Sequence, residues 1–200
     1  RGTTVLGFVA PAVLVFAASR LNTLCLALSP VALLVVLGCS YAKRITRWAR
    51  LILGLGLAVA PVGAWLAATG SFAAFPLWLA AAVMLWVGGF DVIYACQDID
   101  FDRREGLHSI PVAFGVTGAL RTARALHVLS VACLALAFSS ISVLGPASLA
   151  GAGVMATLLI QEHRLVRGGD LSRIDKAFFA INSWIGAAVL GCVLIDLYLV

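Results

Sequence analysis

The stretch FDVIYACQDIDFDRREGLHSIPVAFG, Phe90 to Gly115, decides how this chain is read. It carries Asp91, Asp98, Asp100, Asp102 and Glu105, five of the nine acidic residues, at the end of a long apolar run. Advancing about 100° per residue places Asp91, Tyr94, Asp98 and Asp102 within an arc of roughly 80°, with Asp100 on the far side. One face of one helix therefore presents three carboxylates and a phenol. Such a face is costly. Like charges four residues apart repel by a few tenths of a kcal/mol, and an Asp inside a bilayer costs roughly 2.5 to 3.5 kcal/mol. Something positive must offset this, and the candidates are Arg103 and Arg104 in the same loop, basic residues elsewhere, or a bound cation.

Cation chemistry narrows the choice. The donors are all oxygen, with no Cys/His pair at zinc spacing, so a hard ion such as Mg²⁺ is expected. A calcium loop counted from Asp98 puts Arg103 where Gly is required and Ser109 where the bidentate Glu belongs, and so fails. The sparse pair Asp98 and Asp102 suits Mg²⁺, which takes one or two carboxylates and completes its shell with water and substrate phosphate oxygens. The alternative is a solvated interfacial loop whose Asp and Arg side chains pair with one another. Asp91 weighs against it, because it lies inside the apolar run, where ionisable residues mark function.

Working outward, the rest of the chain is 62% hydrophobic and 12% charged, with mean hydropathy +1.08. A soluble domain is about 45–50% apolar, so the expectation is an all-α, multi-span transmembrane bundle in a lipid bilayer, a single domain over residues 1–200. Cutting the apolar runs at charges and turn residues predicts seven spans near Thr4–Ala18, Leu24–Tyr41, Leu51–Ala68, Phe75–Cys96, Leu120–Ser139, Leu144–Ile160 and Ala177–Leu199. If these alternate, 13 of the 14 Lys and Arg residues fall on one side and only Arg20 on the other. The positive-inside rule then sets the Asp-rich loop in the cytoplasm, in a bacterium at the inner membrane. The net charge of +5 resides in loops and gives no basic face for nucleic acid. Cys25, Cys39, Cys96, Cys133 and Cys192 form no C-x-x-C and read as small packing residues. The sequence begins at Arg1 rather than Met and shows no signal peptide or basic leader, so the expectation is a fragment or a processed chain.

Three further stretches carry polar groups. Tyr41-Ala42-Lys43-Arg44-Ile45-Thr46-Arg47 is a basic interfacial cluster, suited equally to holding phosphate oxygens and to anchoring at the membrane surface. His108-Ser109-Ile110-Pro111 follows the Asp loop, with Pro111 marking the break before the next helix. Asn182, Ser183 and Trp184 put polar groups inside the last span, where a helix-to-helix hydrogen bond is expected. A transporter would spread polar groups over several spans and show inverted repeats. Here they gather at one interface.

Together, Tyr94-Ala-Cys-Gln97-Asp98-Ile-Asp100-Phe-Asp102-Arg103-Arg104-Glu-Gly106-Leu-His108-Ser109-Ile-Pro111 and Phe114-Gly115 resemble the second Asp-rich motif of the UbiA superfamily of intramembrane prenyltransferases, in its 4-hydroxybenzoate polyprenyltransferase-like branch. Arg20-Leu-Asn22, the Tyr41 to Thr46 block, Leu53-Gly54-Leu-Gly56 through Ala60-Pro61, and the tail from His163-Arg164-Leu to Asn182 extend the resemblance over essentially the whole chain. It implies the C-terminal part of a nine-helix bundle around a central cavity, with a first motif, N-D-x-x-D-x-x-x-D, upstream of Arg1. It implies Mg²⁺ held by Asp98 and Asp102, with Asp91 and Tyr94 supporting that catalytic site. Lys43 and Arg44 would meet diphosphate or an acceptor carboxylate, and Arg103 and Arg104 join them as candidate substrate-binding residues. The implied partners are an isoprenyl diphosphate and an aromatic acid, with a dihydroxynaphthoate as the alternative acceptor and an inactive membrane fragment as the rival reading.

Overall fold

In the computed structural model, residues 2–39, 41–172 and 174–199 are described, with side chains outside 2–8 and 176–178. Arg1 and Arg173, two of the residues in the charge count, lie outside them. The described residues form helices and turns without strands. The reason lies in the sequence, since an apolar run in lipid must satisfy every backbone amide within its own segment.

The order is α1 (Gly2–Leu21), α2 (Thr23–Cys39), the short α3 (Ala42–Ile45), α4 (Ala49–Thr69), α5 (Ala74–Tyr94), a 3₁₀ turn (Ala95–Asp98), α6 (Ile99–Arg104), α7 (Ile110–Ser139), α8 (Pro146–Leu165), a π-helical turn (Lys176–Ile181) and α9 (Asn182–Tyr198). Four helical stretches are long and apolar enough to cross a membrane: Ala49–Thr69, Ala74–Arg104, Ile110–Ser139 and Phe179–Tyr198. This is a multi-pass membrane protein. The other expected spans correspond to α1, α2 and α8. The span expected from Leu120 instead begins at Ile110, where Ser109 accepts from the Val112 amide and Pro111 occupies the first turn, and it breaks at Gly115 with φ 68°. Large side chains cover the outside, among them Phe16, Leu34, Val128 and Leu190, as lipid contact requires.

Helix pairing rests on close backbone approach. A Cβ on Gly54 of α4 would strike the Met84 carbonyl of α5, so glycine is what lets these two helices meet. Asn22, between α1 and α2, accepts from the Cys25 amide and donates to the Leu66 carbonyl at 2.8 Å, tying the first pair to the end of α4. At the far end of the bundle, the Asp196 carboxylate of α9 accepts from the backbone amides of Gly145, Ala147 and Ser148 at 2.6–3.2 Å. It caps α8 from another helix, so α8 and α9 are fastened as a pair. Two apolar clusters fill the interior. One, around Ile93, Ile110, Ala123 and Val166, underlies the Asp-rich segment, and the other, around Ala82, Phe138, Met155 and Ile185, lies toward the opposite surface.

Candidate functional site

The Asp-rich segment is not one regular helix. α5 ends at Tyr94 and a 3₁₀ turn intervenes over Ala95–Asp98 before α6 resumes. Four residues at three per turn instead of 3.6 rotate the next helical segment by about 80° relative to Asp91. Asp91 thus stays against α4, nearly buried, whereas Asp98 turns to a half-exposed position and Asp102 returns to full burial. Asp100 faces outward, as its position on the wheel predicts.

Two cations converge on these three carboxylates. Lys43 of α3 sits 2.8 Å from Asp102 Oδ1 and 3.9 Å from Asp98 Oδ2. Arg50 of α4 places Nη1 3.0 Å from Asp91 Oδ2 and Nη2 3.6 Å from Asp98 Oδ2. Asp98 is therefore shared by both cations, and it is the carboxylate most open to solvent, with its side chain 43% exposed. Three anions against two cations leave the cluster one positive charge short. Asp102 Oδ2 and Arg50 Nε are buried without a hydrogen-bond partner, and an unmet buried polar atom points to a further ligand or water.

Backbone contacts position the lysine. The His108 amide donates to the Lys43 carbonyl at 3.0 Å, and the Leu107 amide to the Asp102 carbonyl at 2.8 Å. The Arg47 guanidinium lies over the Phe114 ring at 5.6 Å. The basic block and the loop after α6 are thereby stitched together although some sixty residues separate Lys43 from Asp102. Tyr94 is half-buried at the end of α5. Arg44, Arg103 and Arg104 are exposed and make no ion pair with a carboxylate among the described residues, so the offsetting charge comes from Lys43 and Arg50. No motif in the sequence singles out Arg50, although it is the basic residue closest to the apolar run of α4, at a depth that can match Asp91.

A metal held by protein ligands alone is not supported, because no group of three or more His, Cys, Asp or Glu side chains that could hold an ion occurs among the described residues. The donor set does fit an ion completed by substrate oxygens: Asp98 is accessible, and Asp102 keeps one carboxylate oxygen free.

A second polar group lies deeper, unmarked by any motif. His127 of α7 places Nδ1 3.0 Å from His163 Nε2 of α8, and Glu162 is 1% exposed. A Cβ on Gly89 would strike the His127 ring, so that glycine makes room for the imidazole. Asn182 of α9, expected to bond between helices, accepts from Trp86 Nε1 of α5 at 2.9 Å.

Comparison with known proteins adds three findings. Residues 1–184 match the UbiA prenyltransferase family. A 4-hydroxybenzoate octaprenyltransferase of Nitrosospira multiformis is 31% identical over 184 residues, which is 90% of this chain and 61% of that protein. One from Pseudomonas fluorescens is 32% identical over 156 residues, 78% of this chain and 52% of that protein. The chain thus spans 52–61% of the length of these two relatives. The apo structure of a UbiA homologue from Aeropyrum pernix K1 superposes with a TM-score of 0.83 at 34% identity, over 96% of this chain and 72% of that one.

Proposed function

Because this chain belongs to the UbiA prenyltransferase family, we propose that the protein transfers a polyprenyl group from an isoprenyl diphosphate to an aromatic acid of the 4-hydroxybenzoate type, a step of quinone biosynthesis. The observation that carries this reading is the convergence of Lys43 and Arg50 on Asp91, Asp98 and Asp102, with Asp102 Oδ2 left unmet. Prenyl transfer breaks the allylic C–O bond, releases diphosphate, forms a carbon–carbon bond to the ring and removes the ring proton. The difficult step is the departure of a highly charged group, and positive charge gathered in place, on Lys43 and Arg50 and on the cation that the carboxylates would hold, lowers its barrier.

Mg²⁺, held by Asp98 and Asp102, would supply Lewis-acid stabilisation of the diphosphate oxygens. Lys43 and Arg50 can each turn donors from a carboxylate to a phosphate oxygen, as their forked or multiple N–H groups allow. Asp91 and Tyr94 then act as supports: Asp91 holds Arg50 in register, and Tyr94 closes the end of α5 beside the turn. Arg44, Arg103 and Arg104 lie at the open side, where they would attract an anionic substrate without fixing it. The apolar clusters beneath keep water from the allylic cation. If the seven spans alternate, 13 of the 14 basic residues fall on one side, and this supports an Asp-rich loop facing the cytoplasm at a bacterial inner membrane.

The test is reconstitution of the full-length protein in vesicles with a labelled isoprenyl diphosphate, an aromatic acid and Mg²⁺. Labelled prenyl-arene should form, disappear with chelator, and fall by about a hundredfold or more in Asp98→Asn. Preference for a dihydroxynaphthoate over 4-hydroxybenzoate would move the protein to menaquinone synthesis. No product with any aromatic acid would overturn the enzyme reading.

A further inference from the structure

We propose that Trp86 sets how far the isoprenoid chain runs into the bundle, an inference that rests on the prenyl-transfer reading above. On α5, Tyr94, Phe90, Trp86, Val83, Leu79 and Phe75 recur at intervals of four, four, three, four and four, so they share one helix face. This stripe begins at the turn that carries Asp98 and runs away from it. Its far part lines a cavity of about 280 Å³ between α5, α7, α8 and α9, walled by apolar side chains that include Phe138, Met155 and Val189. An allylic chain anchored by its diphosphate at Asp98 and following this face meets Trp86 before it reaches Leu79 and Phe75.

Trp86 is held in place from two directions. Its Nε1 donates to Asn182 Oδ1 at 2.9 Å, across the bundle from α9, and its ring meets Phe90 nearly edge-on, with centroids 5.8 Å apart and planes at 77°. A half-buried indole fixed by a hydrogen bond and an edge-on ring contact resists rotation. The indole therefore narrows the near end of the cavity, and the space beyond it belongs to the distal isoprene units. The occupant is a branched apolar chain, since the cavity offers aromatic and aliphatic walls and, among the described residues, no charged group.

Two substitutions change the space in opposite senses. Trp86→Ala removes the narrowing. Gly186→Leu, on the α9 wall of the same cavity, fills it; a Cβ there meets open space, so the backbone need not move. Binding and transfer are measured on the full-length protein with geranyl, farnesyl, geranylgeranyl and octaprenyl diphosphates, using ligand-induced thermal stabilisation alongside product formation. Trp86→Ala should raise the ratio of longer to shorter chains by about tenfold, and Gly186→Leu should lower it by a similar factor. Asn182→Ala should broaden the profile. A ratio unchanged in the Gly186 variant, with transfer intact, overturns the assignment even if Trp86→Ala fails to fold, and it would be the result if a phospholipid acyl chain filled the cavity. An unaltered protein that neither binds nor transfers any of the series sinks the prenyl-transfer reading as well, which separates the two failures.

Discussion

Arg50 holds two carboxylates that differ in their access to water: Asp91 is almost enclosed, and Asp98 opens to the outside. Removing the arginine therefore does different things to each. Asp98 can rehydrate, whereas Asp91 is left as a buried, unpaired anion, a situation that costs about 3–5 kcal/mol in comparable buried pairs. Arg50→Gln should destabilise the protein by that order, and Asp91→Asn in the same chain should recover most of the loss. A double-mutant cycle on thermal unfolding in detergent measures the coupling, and a value near zero would show that the two side chains do not depend on each other. The carboxylates themselves are legible in the sequence because charge inside an apolar run is conspicuous. Their partners are not. Lys43, Arg44, Arg47 and Arg50 all stand at the same interface, and which of them turns inward depends on how α3 docks against His108 and how α4 packs on α5. The 3₁₀ turn is equally hidden, since no residue between Ala95 and Asp98 forbids an ordinary helix; it reorients Asp98 without altering its place in the motif.

Elements in this bundle are fastened by a small number of specific contacts at their ends. Asp196 is the clearest case, because one carboxylate accepts three amides at the start of α8, where the helix dipole also favours negative charge. Asp196→Ala should cost about 1–2 kcal/mol and lower the melting temperature, while Asp196→Asn, which keeps one acceptor oxygen, should cost less; equal melting of both variants and the parent would refute the cap. The contact between α5 and α7 depends instead on space. Gly89→Ala pushes against the His127 ring and should cost about 1–3 kcal/mol by overpacking. His127→Ala in the same chain removes the collision, so their effects should be far from additive. At this scale the helices themselves can be read from apolar runs bounded by charge and turn residues. The fastenings cannot, because Asp196 and His127 are single polar residues in apolar surroundings with no motif to announce partners about fifty or thirty-six positions away. The start of α7 differs from its expected place for a related reason: Arg121 and Arg124 look like loop residues, yet they continue a helix that begins at Ser109's cap.

For the molecule as a whole, the membrane topology turns on α8. Ala49–Thr69, Ala74–Arg104, Ile110–Ser139 and Phe179–Tyr198 satisfy length and apolarity, while α8 ends in Glu162, His163 and Arg164 and is the least apolar of the long helices. Yet α8 is fastened to α9 through Asp196 at one end, and meets α7 through His163 toward the other, so it must run alongside two helices that do cross. This alignment predicts that the loops on either side of α8 lie on opposite faces of the membrane. The five native cysteines can first be replaced by alanine, and single cysteines then introduced at the exposed positions Ser71, Asp100, Ser142 and Ser172. An impermeant maleimide should label positions 100 and 172 only from the cytoplasmic side and positions 71 and 142 only from the other. Labelling of 142 and 172 from the same side would mean that α8 enters and leaves by one face, and the reversed pattern at all four sites would mean that the basic loops do not set the orientation.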